Sequence, residues 1–359
     1  MMRRNLALLG WLSFLGCAAT PATEPPAVSV APATSASVAS LPPAASAAPS
    51  APGAVSDAER VQKGRAKAEA DHQVELSRWT PELHASAKRL ADASYASADA
   101  ALKAVLASPH RQPGNAERDK FRHPRETLEF FGLQPTSAVL EYGPGGGWYT
   151  ELLAPALAKR GKLFVTADDP NGTGERAVYG YRLKLLLETA PELFGKVEPI
   201  QLDAKNPKLP LENKLDVVLV IRELHNLVND GSIDQWLAEF RRALKPKGVL
   251  GIVDHRGLSG ADPKQSSKLG YLPEAWAIAK IEAAGFKLSE KSEINANAKD
   301  TKDYPDGVWT LPPTYRLGAK DREKYAAIGE SDRFTLRFVK SDLPAPAPVA
   351  PKPAAPPAH

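Results

Sequence analysis

The chain has 359 residues, of which 43% are hydrophobic and 25% are charged, so it can bury at least one sizeable core. Its 46 Lys and Arg residues nearly balance its 42 Asp and Glu residues. No basic cluster is interleaved with aromatic residues, which argues against a nucleic-acid-binding protein. A single cysteine excludes a disulfide framework within the chain.

The first residues resemble a bacterial export signal. Arg3 and Arg4 precede an apolar run at 6–15, which is too short to span a bilayer as a helix. The run leads to Cys17, and a lone cysteine there resembles a lipobox, although Phe14 stands where leucine is usual. This resemblance implies a lipoprotein, held at the periplasmic face of a bacterial membrane by a lipid on Cys17. Ordinary signal-peptidase cleavage, which would leave a soluble periplasmic protein, is the alternative.

Two segments, 18–55 and 341–359, are rich in alanine and proline and contain almost no charge. Such segments cannot bury enough apolar surface to offset the entropy of ordering, so both are predicted to be disordered. The predicted organisation is a signal at 1–17, a linker at 18–55, a helical segment at 56–109, an α/β domain at 110–340 and a tail at 341–359.

The helical segment has two predicted start points. Ser56 and Glu59 form a capping-box pattern, which opens a charged helix. Thr80 is followed by proline, and this pair predicts a second helix that continues to about Ala107. A helical spacer and a partner-binding arm are both compatible with this segment.

A basic, polar segment follows at 110–125. Its residues Arg118 and Arg122 are candidates for holding an anionic substrate group, because guanidinium groups bind carboxylates and phosphates with paired hydrogen bonds. A solvated or ion-paired face is the alternative.

The stretch Glu141-Tyr-Gly143-Pro-Gly145-Gly-Gly147 follows a short apolar run and precedes an amphipathic segment. This order predicts a strand, a tight turn and a helix whose free N–H groups point at a ligand above the turn. No Gly-Lys-Ser/Thr follows, which excludes a phosphate-binding P-loop. Trp148 stands where a dinucleotide fingerprint needs its third glycine, so a nicotinamide oxidoreductase is disfavoured. A glycine-rich turn without a ligand is the alternative.

The rest of the chain alternates between strand and helix patterns. Strands are predicted at 161–167, 197–202, 214–221, 249–253, 285–288 and 333–339. The sequence therefore predicts an α/β fold with a doubly wound, mostly parallel seven-stranded sheet. Residues 245–248 are predicted to form a turn, and an aromatic insert at about 294–332 is predicted to be a substrate-facing lid.

The pattern [DE]-x-G-x-G-x-G at 141–147 resembles the first motif of class I S-adenosylmethionine-dependent methyltransferases. Together with 222–226, Trp309 and 325–332, it also resembles a group of exported bacterial proteins described as predicted methyltransferases. The resemblance covers 110–340 and implies a Rossmann-like fold with S-adenosylmethionine as cofactor. The implied cofactor-binding residues are Glu141, Gly143, Gly145, Gly147, Asp168 and Asp203. In this family, the acid at Asp168 accepts hydrogen bonds from ribose, and an Asp-Ala such as that at Asp203 contacts adenine.

Polar residues follow the fourth and fifth predicted strands. Methyl transfer needs a positioned nucleophile and, for a poor one, a base. His225 or His255 is predicted to be that base in an O- or N-methylation, because imidazole suits this role near neutral pH. Asn226 joins Arg118 and Arg122 as a predicted substrate-binding residue. A hydrogen-bonded structural histidine is the alternative for each, and no metal-ligand spacing is present.

The leading hypothesis is a methyltransferase that acts on a small-molecule acceptor. The export signal conflicts with it, because S-adenosylmethionine is made in the cytoplasm. The alternative is an exported, membrane-tethered binding protein that keeps the methyltransferase fold without catalysis. The presence of Glu141, Asp168 and Asp203 favours the enzyme. The pattern specifies neither the methyl acceptor nor an oligomeric state.

Overall fold

The computed structural model describes residues 56–203 and 207–341, which belong to one compact unit. The predicted signal with Cys17, the predicted linker and nearly all of the predicted tail lie outside the described residues. Among the described residues, no helix combines the length and apolar character needed to cross a bilayer.

A seven-stranded sheet forms the centre of the fold. Its strands are β1 (Ala138–Tyr142), β2 (Lys162–Ala167), β3 (Glu198–Gln201), β4 (Leu215–Ile221), β5 (Leu244–His255), β6 (Phe286–Ser292) and β7 (Arg333–Lys340). Their spatial order is β3-β2-β1-β4-β5-β7-β6, in which β1 to β5 are parallel and β7 is antiparallel to both neighbours. This confirms the predicted doubly wound, mostly parallel sheet.

Helices precede the sheet and connect its strands. The helices before β1 are α1 (Asp57–Arg78), α2 (Pro81–Asp92), α3 (Ala98–Leu106), α4 (Asp119–Arg122) and α5 (Pro124–Phe130). The later helices are α6 (Thr150–Leu157), α7 (Ala177–Thr189), α8 (Pro191–Phe194), α9 (Leu224–Asn229), α10 (Ile233–Ala243), α11 (Pro263–Ser266), α12 (Glu274–Ala283) and α13 (Arg322–Ile328). Short 3₁₀ helices occur at Ala116–Arg118, Ser267–Leu269 and Gly307–Thr310.

Two predicted boundaries are wrong. The helix predicted from Thr80 to about Ala107 is two helices, because Ser97 is extended and its side chain accepts the N–H of Ala100, which caps a new helix. The turn predicted at 245–248 belongs to β5. Leu244 is buried and already pairs with Leu215 of β4, and the register then shifts before pairing resumes at Val217 with Val249.

The sheet separates two apolar cores. Successive residues of a strand point to opposite faces, so Val139 packs into the cluster beneath α6 whereas Leu140 packs into the cluster beneath α10. Both residues are fully buried. Strands covered on both faces read as continuous apolar runs, and β4 (LDVVLVI) is one of them.

The N-terminal helices pack against the α/β part of the chain. Tyr181 of α7 donates a hydrogen bond of 2.8 Å to Glu69 of α1. Gly64 lies where the two helices approach each other, and a Cβ atom there would lie 2.8 Å from a methyl carbon of Val178. Glycine at this position therefore permits the close contact between α1 and α7.

Gly64→Leu is expected to lower the free energy of unfolding by about 1–3 kcal/mol, because the added side chain must push α1 away from Val178. Ala66→Leu, at an exposed position of the same helix, is expected to change it by less than about 0.5 kcal/mol. Urea denaturation followed by circular dichroism measures both values. Equal stability of the two variants would contradict this packing.

Candidate active site

A large cavity of about 1080 Å³ opens where β1, β2, β4 and β5 reach their carboxyl ends. In doubly wound sheets, ligands bind at this edge. Residues of α1, α7, the 112–122 segment, the glycine turn after β1, the segment after β4 and the aromatic insert form its walls. Ligand pockets commonly occupy about 300–1,000 Å³, so this cavity has room for a cofactor and a small second ligand.

The glycine turn borders the cavity, as predicted for Gly143 and Gly145. Gly145 has φ 59°, in the left-handed region that favours glycine, and a Cβ atom there would meet nothing within 4 Å. The same open space lies beside Gly146, which also lines the cavity. The Gly143 N–H donates to Thr166 Oγ1 of β2 at 2.8 Å, which fixes the turn on the sheet. The backbone is thus exposed to a ligand along the turn.

Gly147 has a different role from the one the sequence implies. It is not among the residues that line the cavity. Its φ is 81°, and a Cβ atom there would collide with the side chain of Leu186 on α7. Gly147 therefore lets α7 pack against the turn, and Gly146 takes its place at the cavity wall.

Glu141 lies at the end of β1 and is almost fully buried, although it borders the cavity. Burial raises the pKa of Glu141 to about 7, and the hydrogen bond of 2.7 Å that Thr150 Oγ1 donates to Glu141 opposes this rise. The carboxyl group thus links β1 to the first residue of α6 and braces the glycine turn between them.

The two aspartates expected to contact the nucleoside lie in different surroundings. Asp168 follows β2 and lines the cavity, where its Oδ1 accepts a hydrogen bond of 2.9 Å from Arg176 Nε. Asp168 Oδ2 makes no hydrogen bond with a described residue and can accept from a ligand. Asp203 follows β3, is exposed and does not line the cavity described here, and the residue after it lies outside the described part of the chain.

His225 and Asp254 form a buried pair at the carboxyl ends of β4 and β5. Asp254 accepts hydrogen bonds from the His225 backbone N–H at 2.8 Å and from its Nδ1 at 2.9 Å. Since a carboxylate only accepts, Nδ1 carries the proton and Nε2 keeps its lone pair. Burial lowers the pKa of His225, but the Asp254 carboxylate outweighs burial and raises the pKa above its ordinary value. His225 is therefore oriented and strengthened as a base.

His255 is buried beside this pair, with its ring centroid 5.4 Å from that of His225. Its Nδ1 bonds to the hydroxyl of Ser331 and not to a carboxylate. Burial, His225 and nearby arginines including Arg222 hold the pKa of His255 well below its ordinary value. His255 therefore stays neutral and is a weak base. Of the two predicted candidates, the geometry favours His225.

His225, Asp254 and His255 also offer ligand atoms within 4.8 Å of one another, a spacing that a metal ion can use. Both oxygens of Asp254 already accept hydrogen bonds, from the imidazole and from the backbone N–H groups of His225 and His255. The cationic neighbours that lower the pKa of His255 also oppose a metal cation. We interpret the group as a hydrogen-bonded pair with a neutral neighbour, and the absence of a metal site stays a prediction.

The predicted substrate-binding residues all line the cavity, but they differ in their partners. Arg122 Nε bonds to both oxygens of Glu330 at 3.0 Å, so its charge is already compensated. Asn226 donates to Glu223 at 3.0 Å. The guanidinium group of Arg118 makes no hydrogen bond or ion pair with any residue that the structure describes, whereas its backbone N–H donates to the carbonyl of Asn115. Arg118 is therefore the predicted residue with free hydrogen-bonding groups.

Glu330 and Arg333 were not predicted and form a buried cluster with Arg122. Glu330 accepts from Arg333 at 2.6 Å as well as from Arg122. Burial alone would raise the pKa of Glu330, but Arg333, Arg122 and Arg222 hold it at about 2. The cluster joins the segment before β1 to the end of the insert and closes this side of the cavity.

Other residues that the sequence reasoning gave no role are Asp254 and Arg222. Asp254 directly precedes His255 in β5, which pairs with β4. Its position at a strand end beside a predicted site histidine could have marked it as a site residue. Arg222 stands three residues before His225. The insert contributes Trp309, whose ring centroid lies 6.1 Å from that of His225. The insert thus supplies an apolar wall next to the base.

These surroundings fit S-adenosylmethionine. The turn offers open backbone beside Gly145 and Gly146, where any Cβ atom would fill the space. Asp168 provides an acceptor for hydroxyl groups at the end of β2, and Glu141 braces the turn. Glu223 borders the turn at Gly143 and offers a carboxylate for an amino group.

Comparisons with known proteins identify the domain. Residues 140–252 match the model of a protein family described as a methyltransferase domain. Among curated proteins, none matches this chain. A solved structure of a SAM dependent methyltransferase from Aquifex aeolicus is 20% identical, with 64% of this chain and 94% of that chain covered and a TM-score of 0.42.

Two further solved structures are similar at lower identity. The 1,6-didemethyltoxoflavin-N1-methyltransferase of Burkholderia thailandensis, which has 1,6-didemethyltoxoflavin and S-adenosylhomocysteine bound, is 13% identical, with 63% of this chain and 80% of that chain covered and a TM-score of 0.38. The N,N-8-amino-8-demethyl-D-riboflavin dimethyltransferase of Streptomyces davawensis is 15% identical, with 63% and 55% covered and a TM-score of 0.37.

The strand order, the glycine turn and the family match agree with one another. The chain therefore contains a methyltransferase domain at residues 140–252, whose cofactor is S-adenosylmethionine.

Proposed function

We propose that this protein transfers a methyl group from S-adenosylmethionine to an oxygen or nitrogen atom of a small-molecule acceptor, with His225 as the general base. The observation that carries this proposal is that His225 lines the cavity and bonds through its Nδ1 to the buried Asp254 behind it. A base with an oriented, unprotonated Nε2 is what methylation of a hydroxyl or amine requires.

The cofactor-binding groups would be the backbone of the turn at Gly143 to Gly146, the carboxylate of Asp168 and that of Glu141. When bound, S-adenosylmethionine supplies an electrophilic methyl group. Asp203 remains a candidate for the adenine contact on the basis of the sequence resemblance alone.

The chain's own part in the reaction is to position the acceptor and remove its proton. His225 Nε2 accepts the proton of the reacting hydroxyl or amine. Asp254 holds the imidazole by its Nδ1–H and stabilises the positive charge that develops on the ring. Trp309 and the buried arginine cluster exclude water from this end of the cavity, and Asn226 and Arg118 are the proposed acceptor contacts. His255 remains neutral and positions the acceptor by hydrogen bonding.

A non-catalytic binding protein on the same fold is the second candidate function. The export signal predicted from the sequence favours it, because the cofactor is made in the cytoplasm. The His225–Asp254 pair supports the enzyme, because a binding protein has no need of a base with a raised pKa.

Cofactor binding is tested by titrating S-adenosylmethionine into the purified protein by calorimetry. Asp168→Ala is expected to weaken binding at least tenfold, about 1.4 kcal/mol, because it removes the acceptor at the end of β2. Asp169→Ala, which removes an exposed acid next to it, is the matched control and is expected to bind normally. Equal weakening in the two variants would contradict a cofactor contact by Asp168. No binding of S-adenosylmethionine by the wild-type protein would contradict the proposal that it is an enzyme.

The base is tested by the transfer of labelled methyl groups from S-adenosylmethionine into a library of small hydroxyl and amine compounds. His225→Gln is expected to lower the transfer rate by about 10²–10⁴-fold while leaving cofactor affinity within twofold. His84→Gln, on α2, is the matched histidine control. A rate unchanged in His225→Gln would show that another group takes the proton.

The pH profile of the same reaction gives a second test. The pKa of His225 is raised, so the wild-type rate should fall as pH decreases through a value above about 6.5, where the imidazole becomes protonated. Asp254→Asn removes the carboxylate that raises this pKa, so the decrease in transfer rate should occur at lower pH than in the wild type.

We also propose that the protein is a lipoprotein at the periplasmic face of a bacterial membrane, which is supported by the apolar run at 6–15 and the lone Cys17. After expression in a bacterium supplied with labelled palmitate, the wild-type protein is expected in the membrane fraction with label attached. Cys17→Ser should be unlabelled and leave that fraction. Unlabelled wild-type protein in the soluble periplasmic fraction would favour ordinary signal cleavage instead.

A further inference from the structure

Building on the function proposed above, we propose that the methyl acceptor carries an anionic group, a carboxylate or phosphate, which binds to Arg222 and Arg118 beside His225. Both guanidinium groups line the cavity, and neither has a hydrogen bond or ion pair with a side chain that the structure describes. They are cations for which residues 56–203 and 207–341 provide no partner side chain.

Arg222 combines two unfavourable features. Its φ of 61° lies in the left-handed region that non-glycine residues rarely adopt, and its backbone N–H is fixed by a hydrogen bond of 2.7 Å to Val253 of β5. Its Nε atom is buried without a hydrogen-bond partner, while the accessible part of the side chain borders the cavity. A buried, unpaired charge is destabilising. A bound anion would satisfy it.

The charges around Arg222 do not already neutralise it. The nearby carboxylate of Glu330 bonds to Arg122 and Arg333, so one acid faces three guanidinium groups. Burial, Arg122 and Arg333 together lower the pKa of Arg222 to about 10, against the opposing effects of Glu330 and Asp254. Asp254 is itself committed to His225.

The next residue, Glu223, is also engaged elsewhere. It accepts a hydrogen bond from Asn226 and borders the glycine turn at Gly143. It therefore does not pair with Arg222, and the local excess of positive charge remains on the acceptor side of the cavity.

Arg118 is held in place by a different part of the chain, the segment before β1. Its 3₁₀ helix follows a segment that is bound to α6 through the buried carboxylate of Glu151, which accepts from Arg111 Nε at 3.1 Å and from Asn115 Nδ2 at 3.0 Å. Burial and Arg122 lower the pKa of Arg118. The chain thus supports two unpaired guanidinium groups on two separate elements.

The carboxylate of the cofactor is the other possible source of an anion in this cavity, and the experiment separates the two. Thermal unfolding of the whole protein is followed at constant ionic strength with inorganic phosphate, benzoate or benzamide, each with and without saturating S-adenosylhomocysteine. We expect phosphate and benzoate, but not neutral benzamide, to raise the Tm saturably, and to do so when S-adenosylhomocysteine is already bound.

Arg222→Met is expected to weaken phosphate binding at least tenfold. It should also raise the Tm of the ligand-free protein by about 2 °C or more, because it removes an unpaired buried charge. Arg118→Gln should weaken phosphate binding without this gain. Arg182→Gln removes the same charge from another wall of the cavity and should leave phosphate binding unchanged.

Three outcomes would overturn the inference. The first is a phosphate response equal in wild type and Arg222→Met, and the second is no response in wild type. The third is a response that S-adenosylhomocysteine abolishes, which would assign the arginines to the cofactor's carboxylate. Failure of the protein to bind S-adenosylhomocysteine would instead refute the proposed function. The change in Tm with phosphate alone would still test the anion site in that case.

Discussion

The parallel pairing of β4 with β5 is the constraint on which the site depends. It brings the start of α9, which follows β4, next to the carboxyl end of β5, so Asp254 accepts hydrogen bonds from both the backbone N–H and the imidazole of His225. A carboxylate that binds backbone and side chain of the same residue fixes both the position and the tautomer of that residue. The base is thereby held at the start of a helix and fixed to the neighbouring strand β5 by two hydrogen bonds.

Charge balance divides the cavity into two ends with different chemistry. Near the turn, Asp168 and Glu223 supply carboxylates, which suit hydroxyl and amino groups. Near His225, Asp254 is bonded to the histidine and Glu330 holds Arg122 and Arg333 together, so neither carboxylate makes a hydrogen bond to Arg222 or Arg118. Burial, His225 and the nearby arginines hold the pKa of His255 well below its ordinary value and so keep it neutral. Two adjacent histidines therefore differ in basicity because one faces a carboxylate and the other faces arginines.

The sequence predicted the parts of the site that local patterns specify. The strand, the glycine turn and the acids at strand ends follow from short-range rules of backbone conformation, so Glu141, Gly143, Gly145 and Asp168 were found at the cavity. The resemblance implied Gly147 as a cofactor-binding residue, and only the packing of α7 reveals that Gly146 borders the cavity while Gly147 lies against Leu186.

The contacts that close the site are long-range. Arg122 and Glu330 are 208 residues apart in sequence, and neither residue has a neighbour that signals the other. Arg122 was therefore predicted as a free anion-binding group although it is paired, while the unpaired Arg222 was given no role. The sequence gives the number of arginines, but only the tertiary structure determines which of them pair with a carboxylate.

The energetics of the site bear on whether the fold is used for catalysis. A buried polar pair such as His225 with Asp254 often contributes less stability than well-packed apolar residues of similar size. Arg222 adds a strained backbone and an unpaired charge to the same few residues. A scaffold that only needed to fold would gain from replacing these residues, whereas a methyltransferase needs a base beside a group that orients the acceptor. The concentration of unfavourable features at one end of the cavity is therefore better explained by chemistry than by stability.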